Sequence, residues 1–265
     1  MPTRLRDLST KLLPAARGAG LVGWTAVMLA AVESHKLVDR ELRSGDEQDP
    51  IFERYMRAWT AGLLRMFAVE VHIVPGLPPP AVGPRLVVSN HRSAVDIPIL
   101  LTHFGGSALA RSDLEHWPLL GLAARKAQTI FVDRESRHSG AQAIRAIREQ
   151  LRRERTVNVF PEGTVFEGDE VRPFNAGAFA ASRGLGVEYV PVGLTYPPGH
   201  EFREDGFVEH LGAVASRPRE TVVMAVGEPL RLDGRAAKVS EQLHAEVQRL
   251  VHEARRELDR ILGAT

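Results

Sequence analysis

Apolar and polar positions along this chain follow two periods, and the switches between them mark its elements. Residues 18–32 are fifteen in a row without a charge; as a helix they reach roughly 22 Å, against about 30 Å of bilayer hydrocarbon. A charged stretch extends that helix towards Arg43, and a polar turn follows, with Asp49 as a helix cap and Pro50 at the first helical position. The second helix, to about Phe67, sets Ile51, Tyr55, Trp59, Leu63 and Met66 on one side and Arg54, Arg57 and Arg65 elsewhere. Such a helix suits a bilayer interface or the face of a sheet. Residues 69–74 alternate as a strand, and the Pro/Gly-rich run 75–80 breaks the chain. Beyond it, apolar runs at 85–89, 107–111, 129–132, 156–160, 187–196 and 221–226 read as strands. Helical patterns at 93–101, 118–127, 139–155, 174–180 and 238–262 lie between and after them. This alternation predicts an α/β fold with a mixed, largely parallel sheet flanked by helices. Pro191 would place its strand at a sheet edge or on a bulge, and the polar run 201–219 reads as loops and a hairpin. The organisation expected is an N-terminal helical segment, 1–74, lying in one membrane leaflet or packing as ordinary core helices, and an α/β core, 75–265.

Composition narrows the function. The chain has 265 residues, 25% of them charged, and a formal net charge of +1, so no global field points to nucleic acid. There is no cysteine, which excludes disulfides, thiolate metal sites and a cysteine nucleophile. Nearly all positive charge is arginine, too widely spread to mark a site by itself.

The densest candidate chemistry lies in Ser89-Asn90-His91-Arg92-Ser93-Ala94-Val95-Asp96, directly after the apolar run at 86–88. A histidine and a carboxylate five residues apart cannot share a helix face. They meet if the chain turns at His91 and a helix begins near Ser93, so that Asp96 reaches back. A carboxylate on Nδ1 fixes the tautomer and leaves Nε2 to take a proton. The plainer alternative has His91 closing a strand and Asp96 capping a helix.

A second motif, Phe160-Pro161-Glu162-Gly163-Thr164, ends the strand at 156–160. Asn-His-x-Ser-x-x-Asp followed by Phe-Pro-Glu-Gly-Thr resembles the glycerophospholipid acyltransferase family. Residues 129–134 and 190–192 resemble two further blocks of that family, in the right order. The resemblance implies that His91 is the general base and that Asp96 orients it. It also implies that Asn90, Ser93, Phe160, Pro161, Glu162, Gly163, Thr164 and Arg134 serve the substrate, with Lys126 and Arg172 as weaker contacts for an anionic head group. An acyl chain would pass from acyl-CoA or acyl-carrier protein, as co-substrate and with no resident cofactor or metal, to the free hydroxyl of a lysolipid. The first expectation for the acceptor is 1-acylglycerol-3-phosphate; alternatives are lyso-ornithine lipid or a lysophospholipid. The two N-terminal helices resemble a membrane-docking hairpin, which places the protein on the cytoplasmic face of an inner membrane.

Two positions depart from the family pattern. Val165 stands where an arginine usually follows Glu-Gly-Thr, and Asn175 where a lysine follows phenylalanine. Both remove positive charge where an acceptor phosphate would sit. Rival readings are a metal site among His91, Asp96, His103, Asp133 and Glu162, a lipid hydrolase, and a non-catalytic membrane module.

Overall fold

The computed structural model describes residues 2–42, 50–126, 129–133, 137–202 and 206–263. Its helices are α1 (Pro2–Leu42), α2 (Pro50–Met66), α3 (Asp96–Phe104), α4 (Leu120–Lys126), α5 (Arg137–Arg152), α6 (Gly177–Ser182), α7 (Phe207–Ser216) and α8 (Ala236–Gly263). The strands are β1 (Val69–Val74), β2 (Arg85–Ser89), β3 (Ser107–Arg111), β4 (Ile130–Val132), β5 (Thr156–Val159), β6 (Glu188–Thr195), β7 (Glu220–Val226) and β8 (Leu230–Arg231). They form one sheet in the order β1-β7-β6-β2-β5-β3-β4, with β8 alongside β6. β2, β3, β4, β5 and β6 are mutually parallel, β7 and β8 run antiparallel to β6, and β1 is parallel to β7.

A strand covered on both faces is apolar through its middle, and β2 is the case in point: all five of its residues are buried, with Leu86, Val87 and Val88 between Arg85 and Ser89. Val87 faces a core built with Leu64 of α2, Phe67 just past its end, Ile99 and Leu100 of α3 and Val214 of α7. Leu86 and Val88 face the opposite core, with Ile147 and Leu151 of α5, Phe179 of α6 and Leu243 and Val247 of α8. The apolar stripe of α8 crosses β6 at Gly193, where an added Cβ would stand 2.4 Å from the Val251 nitrogen.

Three expectations change. Pro191 lies in a central strand, between β7 and β2, and not at an edge. Its carbonyl accepts from the Gly227 amide, in the gap between the residues of β6 paired with β8 and those paired with β7. The register shifts by one residue there, from Tyr189↔Leu230 to Val192↔Val226, so Pro191 stands beside a bulge, the other placement its sequence allowed. The run read as loops and a hairpin contains α7, whose Phe207, Leu211, Val214 and Ala215 keep helical spacing. Val69–Val74, assigned by sequence to the N-terminal segment, sits in the sheet beside β7, so the break at 75–80 is a loop between two strands of one sheet.

α1 is one continuous helix that carries Pro14 internally. Residues Leu12–Leu37 are long and apolar enough to cross a membrane by length and composition, with mean hydropathy 1.4 over an 18-residue window of which only 17% is buried. α1 and α2 pack antiparallel: the Trp24 indole donates to the Trp59 carbonyl at 3.0 Å, the Trp59 indole to Thr25 Oγ1 at 3.1 Å, and Tyr55 meets His35 at 3.1 Å. Near its start α1 is tied to the rest of the molecule by buried Arg17, which donates to the Ala215 and Arg217 carbonyls at the end of α7. Asp49, expected as a helix cap, lies outside the described residues.

Candidate active site

The site forms where β2 ends. Past Ser89 the chain turns, and α3 begins at Asp96. His91 Nδ1 lies 2.7 Å from Asp96 Oδ2. The same oxygen accepts from the backbone amides of Arg92 at 2.6 Å and Ser93 at 2.8 Å. Asp96 Oδ1 accepts from the Tyr196 hydroxyl at 2.5 Å. Asp96 is fully buried, and a buried carboxylate is tolerated only when donors surround it. Its place in the first turn of α3 adds the favourable end of the helix dipole. With Nδ1 bound to this carboxylate as N–H, Nε2 is left as the acceptor. Phe160 stacks on the imidazole, with ring centroids 4.2 Å apart and planes 18° apart, and so fixes the ring plane.

The second motif packs beneath the first. Glu162 accepts from the His91 amide at 2.7 Å, from Arg92 Nη1 at 2.8 and 3.1 Å, and from the Arg172 amide at 2.8 Å. The sequence had placed Glu162 on the substrate. Here both its oxygens are taken by the chain's own donors, and it is absent from the wall of the cavity beside His91. Its work is to staple the two motifs together. The Arg92 side chain is buried and also donates to the carbonyls of Gly168, His91 and Glu170. Gly163 takes a φ of +82°, a conformation glycine adopts freely, and an added Cβ there would stand 2.8 Å from Asn175 Nδ2. The Asn175 amide holds the Pro161 carbonyl at 2.8 Å.

Asn90 and Ser93 are likewise engaged within the chain. Asn90 donates to the Leu194 carbonyl and accepts from the Leu194 amide, both at 2.8 Å, so its side chain continues the β2–β6 ladder one residue past the strand. Ser93 Oγ lies 2.8 Å from Nε2 of His210 on α7, and the Ala94 amide approaches that nitrogen at 3.3 Å. Burial, then the charge of Arg217, lowers the His210 pKa to about 4, so near neutral pH its Nε2 accepts. Burial and the adjacent Asp96 push the Tyr196 hydroxyl well above its ordinary value, which keeps it a donor.

His91 opens on a cavity of about 280 Å³. Its wall is mostly apolar, from Leu63 of α2 and Phe67 just past it, Val95, Ile97 and Leu101 at α3, Leu109 of β3, and Phe207 and Leu211 of α7. Thr164, Val165 and Arg111 also line it. Lys126 does not: it lines a separate cleft of about 970 Å³ with Arg57, Arg85 and Arg152, by the N-terminal ends of β2, β3 and β5, and its Nζ pairs with Glu33 at 2.5 Å. Arg172 lies over the Phe166 ring, 5.3 Å from its centroid. Arg134 lies outside the described residues. The amides of His91, Arg92, Ser93, Ala94 and Gly163 are already engaged.

Sequence reasoning missed Arg92, Tyr196 and His210. Arg92 fills the unspecified place in Asn-His-x-Ser, while Tyr196 and His210 contact residues 100 and 117 positions away. The apolar spacing of α7 was the signal available for His210.

Comparison with known proteins places this geometry. A family model described as Acyltransferase matches residues 69–195. The chain is 32% identical over 241 residues to a lyso-ornithine lipid O-acyltransferase of Pseudomonas aeruginosa, a match covering 87% of each chain. It is 33% identical over 111 residues to a 1-acyl-sn-glycerol-3-phosphate acyltransferase of Neisseria gonorrhoeae, covering 42% of this chain and 44% of that one. The crystal structure of the 1-acyl-sn-glycerophosphate acyltransferase of Thermotoga maritima superposes with a TM-score of 0.63 at 19% identity, over 91% of this chain and 97% of the other, a likeness of fold. A match of that length to the Pseudomonas enzyme, around a histidine braced by a buried carboxylate, shows that this chain belongs to the acyltransferase family.

Proposed function

We propose that the protein transfers a fatty acyl chain from a thioester donor, acyl-CoA or acyl-carrier protein, to the hydroxyl of a lysolipid at a membrane surface. The observation that carries this reading is His91: Nδ1 is held by Asp96 while the ring opens on an apolar cavity. The acceptor hydroxyl gives its proton to His91 Nε2 as its oxygen attacks the thioester carbonyl. The tetrahedral adduct collapses, the C–S bond breaks, and the imidazolium returns the proton to the departing thiolate. Asp96 stabilises the transient imidazolium throughout. The mostly apolar wall suits acyl chains and limits the water that would divert the acyl group to hydrolysis.

Two observations favour an amino-acid lysolipid of the lyso-ornithine type as acceptor over 1-acylglycerol-3-phosphate. Val165, uncharged, lines the cavity. The match to the Pseudomonas lyso-ornithine enzyme runs through most of both chains, whereas that to the Neisseria enzyme covers under half of each. Leu12, Val22, Val27 and Leu37 of α1 are exposed and apolar and would enter one leaflet, on the cytoplasmic face where the donors are made.

The test incubates purified protein with acyl-CoA or acyl-carrier protein and a panel of lysolipids, followed by lipid mass analysis. Acyl transfer to lyso-ornithine lipid, one thiol released per acyl group moved, is the expected result. Release of free fatty acid without transfer would make the protein a hydrolase, and specific turnover of lysophosphatidate would overturn the acceptor assignment.

A further inference from the structure

Arg111 ends β3, and His91 follows the end of β2; both strands run parallel to β5, so the two residues emerge at the same edge of the sheet. Both line the same cavity. Among the described residues of that wall, Arg111 alone carries a permanent charge. Its guanidinium grips Asp113 with both arms, Nε to Oδ1 at 3.0 Å and Nη2 to Oδ2 at 3.0 Å. Each side chain is 51% exposed, and Asp113, which is not itself among the lining residues, meets the cavity only through its bond to Arg111.

We propose that Arg111 and Asp113 together recognise a zwitterionic amino-acid head group, the guanidinium taking its carboxylate and the Asp113 carboxylate its ammonium. This inference rests on the lysolipid reading above and names what selects the acceptor. The pair has no net charge, so it offers little to a dianionic phosphate, which would meet an occupied guanidinium fork with a carboxylate beside it. A head group with one carboxylate and one ammonium closes a ring of four alternating charges and leaves none unpaired. The fork matches a planar carboxylate with two parallel bonds. An exposed ion pair is held by little free energy, so a carboxylate that brings its own ammonium for Asp113 can open it, whereas a phosphate would leave Asp113 unpaired beside it. Val165, on the same wall, adds no competing charge.

The test measures kcat and KM of the full-length protein in detergent–lipid micelles with lyso-ornithine lipid, lysophosphatidylethanolamine and lysophosphatidate. The variants are Asp113→Asn, Arg111→Gln and Arg111→Lys. Asp113→Asn is expected to raise KM for lyso-ornithine lipid about tenfold with kcat nearly unchanged, and to shift selectivity towards lysophosphatidate. Arg111→Gln is expected to lower kcat/KM for lyso-ornithine lipid at least tenfold, with Arg111→Lys recovering part of it. If the wild type acylates lyso-ornithine lipid and neither Asp113→Asn nor Arg111→Gln moves selectivity beyond twofold, the pair is not the head-group site and the acyltransfer reading stands. Preference of the wild type for lysophosphatidylethanolamine overturns the amino-acid assignment, and transfer to no lysolipid removes the reading together with the inference.

Discussion

Tyr196→Phe separates orientation of the catalytic histidine from construction of the fold. The substitution deletes one oxygen, the donor to Asp96 Oδ1 at 2.5 Å. Three donors remain on Oδ2: His91 Nδ1 and the amides of Arg92 and Ser93. Both partners are buried, Asp96 fully and Tyr196 to 1% exposure, so water does not readily replace the lost donor. A hydrogen bond to a charged group contributes about 1.5–3 kcal/mol, and the stability loss should lie in that range, read as a lower urea midpoint. The rate should fall about tenfold, equivalent to about 1.4 kcal/mol of transition-state stabilisation, because Oδ2 still holds the imidazole. The direction of the pH effect is the sharper sign. A carboxylate with one donor fewer attracts the imidazolium proton more strongly, so the acidic limb of the kcat/KM profile should move to higher pH. Asp96→Asn, which removes the acceptor for Nδ1–H, should cost far more; the corresponding change in a serine protease costs about 10⁴. The assay is thiol release from acyl-CoA with saturating lysolipid between pH 5 and 9. A rate within twofold of wild type with an unmoved acidic limb, alongside a lowered urea midpoint, would confine Tyr196 to the fold and refute the argument.

Three further outcomes follow from buried groups and exposed faces. His210 is neutral in the fold down to pH about 4 but takes a proton near pH 6.5 once unfolded. Its contribution to stability, up to about 3 kcal/mol, is therefore complete above pH 6.5 and lost as pH falls towards 4; urea midpoints at pH 7.5 and 5 should show this slope, and His210→Gln should flatten it. Asn90→Ala leaves the Leu194 amide and carbonyl without their side-chain partner at the end of β2, which should destabilise by about 2–4 kcal/mol in chemical denaturation. Val22→Asp with Val27→Asp places charge on the exposed face of α1 and should at least halve flotation with phospholipid vesicles, whereas Val208→Asp, an exposed position on α7, should not.

What the sequence disclosed follows the range of each interaction. The His91–Asp96 contact spans five residues and depends on one turn, so the spacing raised it and the family resemblance favoured it over the plainer alternative. The strand ends that carry the two motifs were readable because each follows a short run rich in valine, Leu86-Val87-Val88 in β2 and Val157-Asn158-Val159 in β5. Glu162 was misplaced because its main partners are backbone amides and the side chain of Arg92, and backbone donors leave no mark in a sequence. Lys126 was misplaced because a head-group contact was inferred from charge, and charge says nothing of which end of the sheet a short helix turns towards. For Pro191 the edge alternative failed and the bulge alternative held, because the register of β6 shifts by one residue beside it and the ladder is interrupted where its N–H is missing.

The reading depends most on His91 as the group that takes the proton. The direct measurement is acyl transfer to lysolipid by His91→Ala, with vesicle flotation of the same preparation as the control for folding and docking. Turnover should fall by about 10² to 10⁴ while flotation stays at the wild-type level. Turnover within a few-fold of wild type would contradict the account, because no other described residue on this cavity wall has the chemistry of a base at neutral pH.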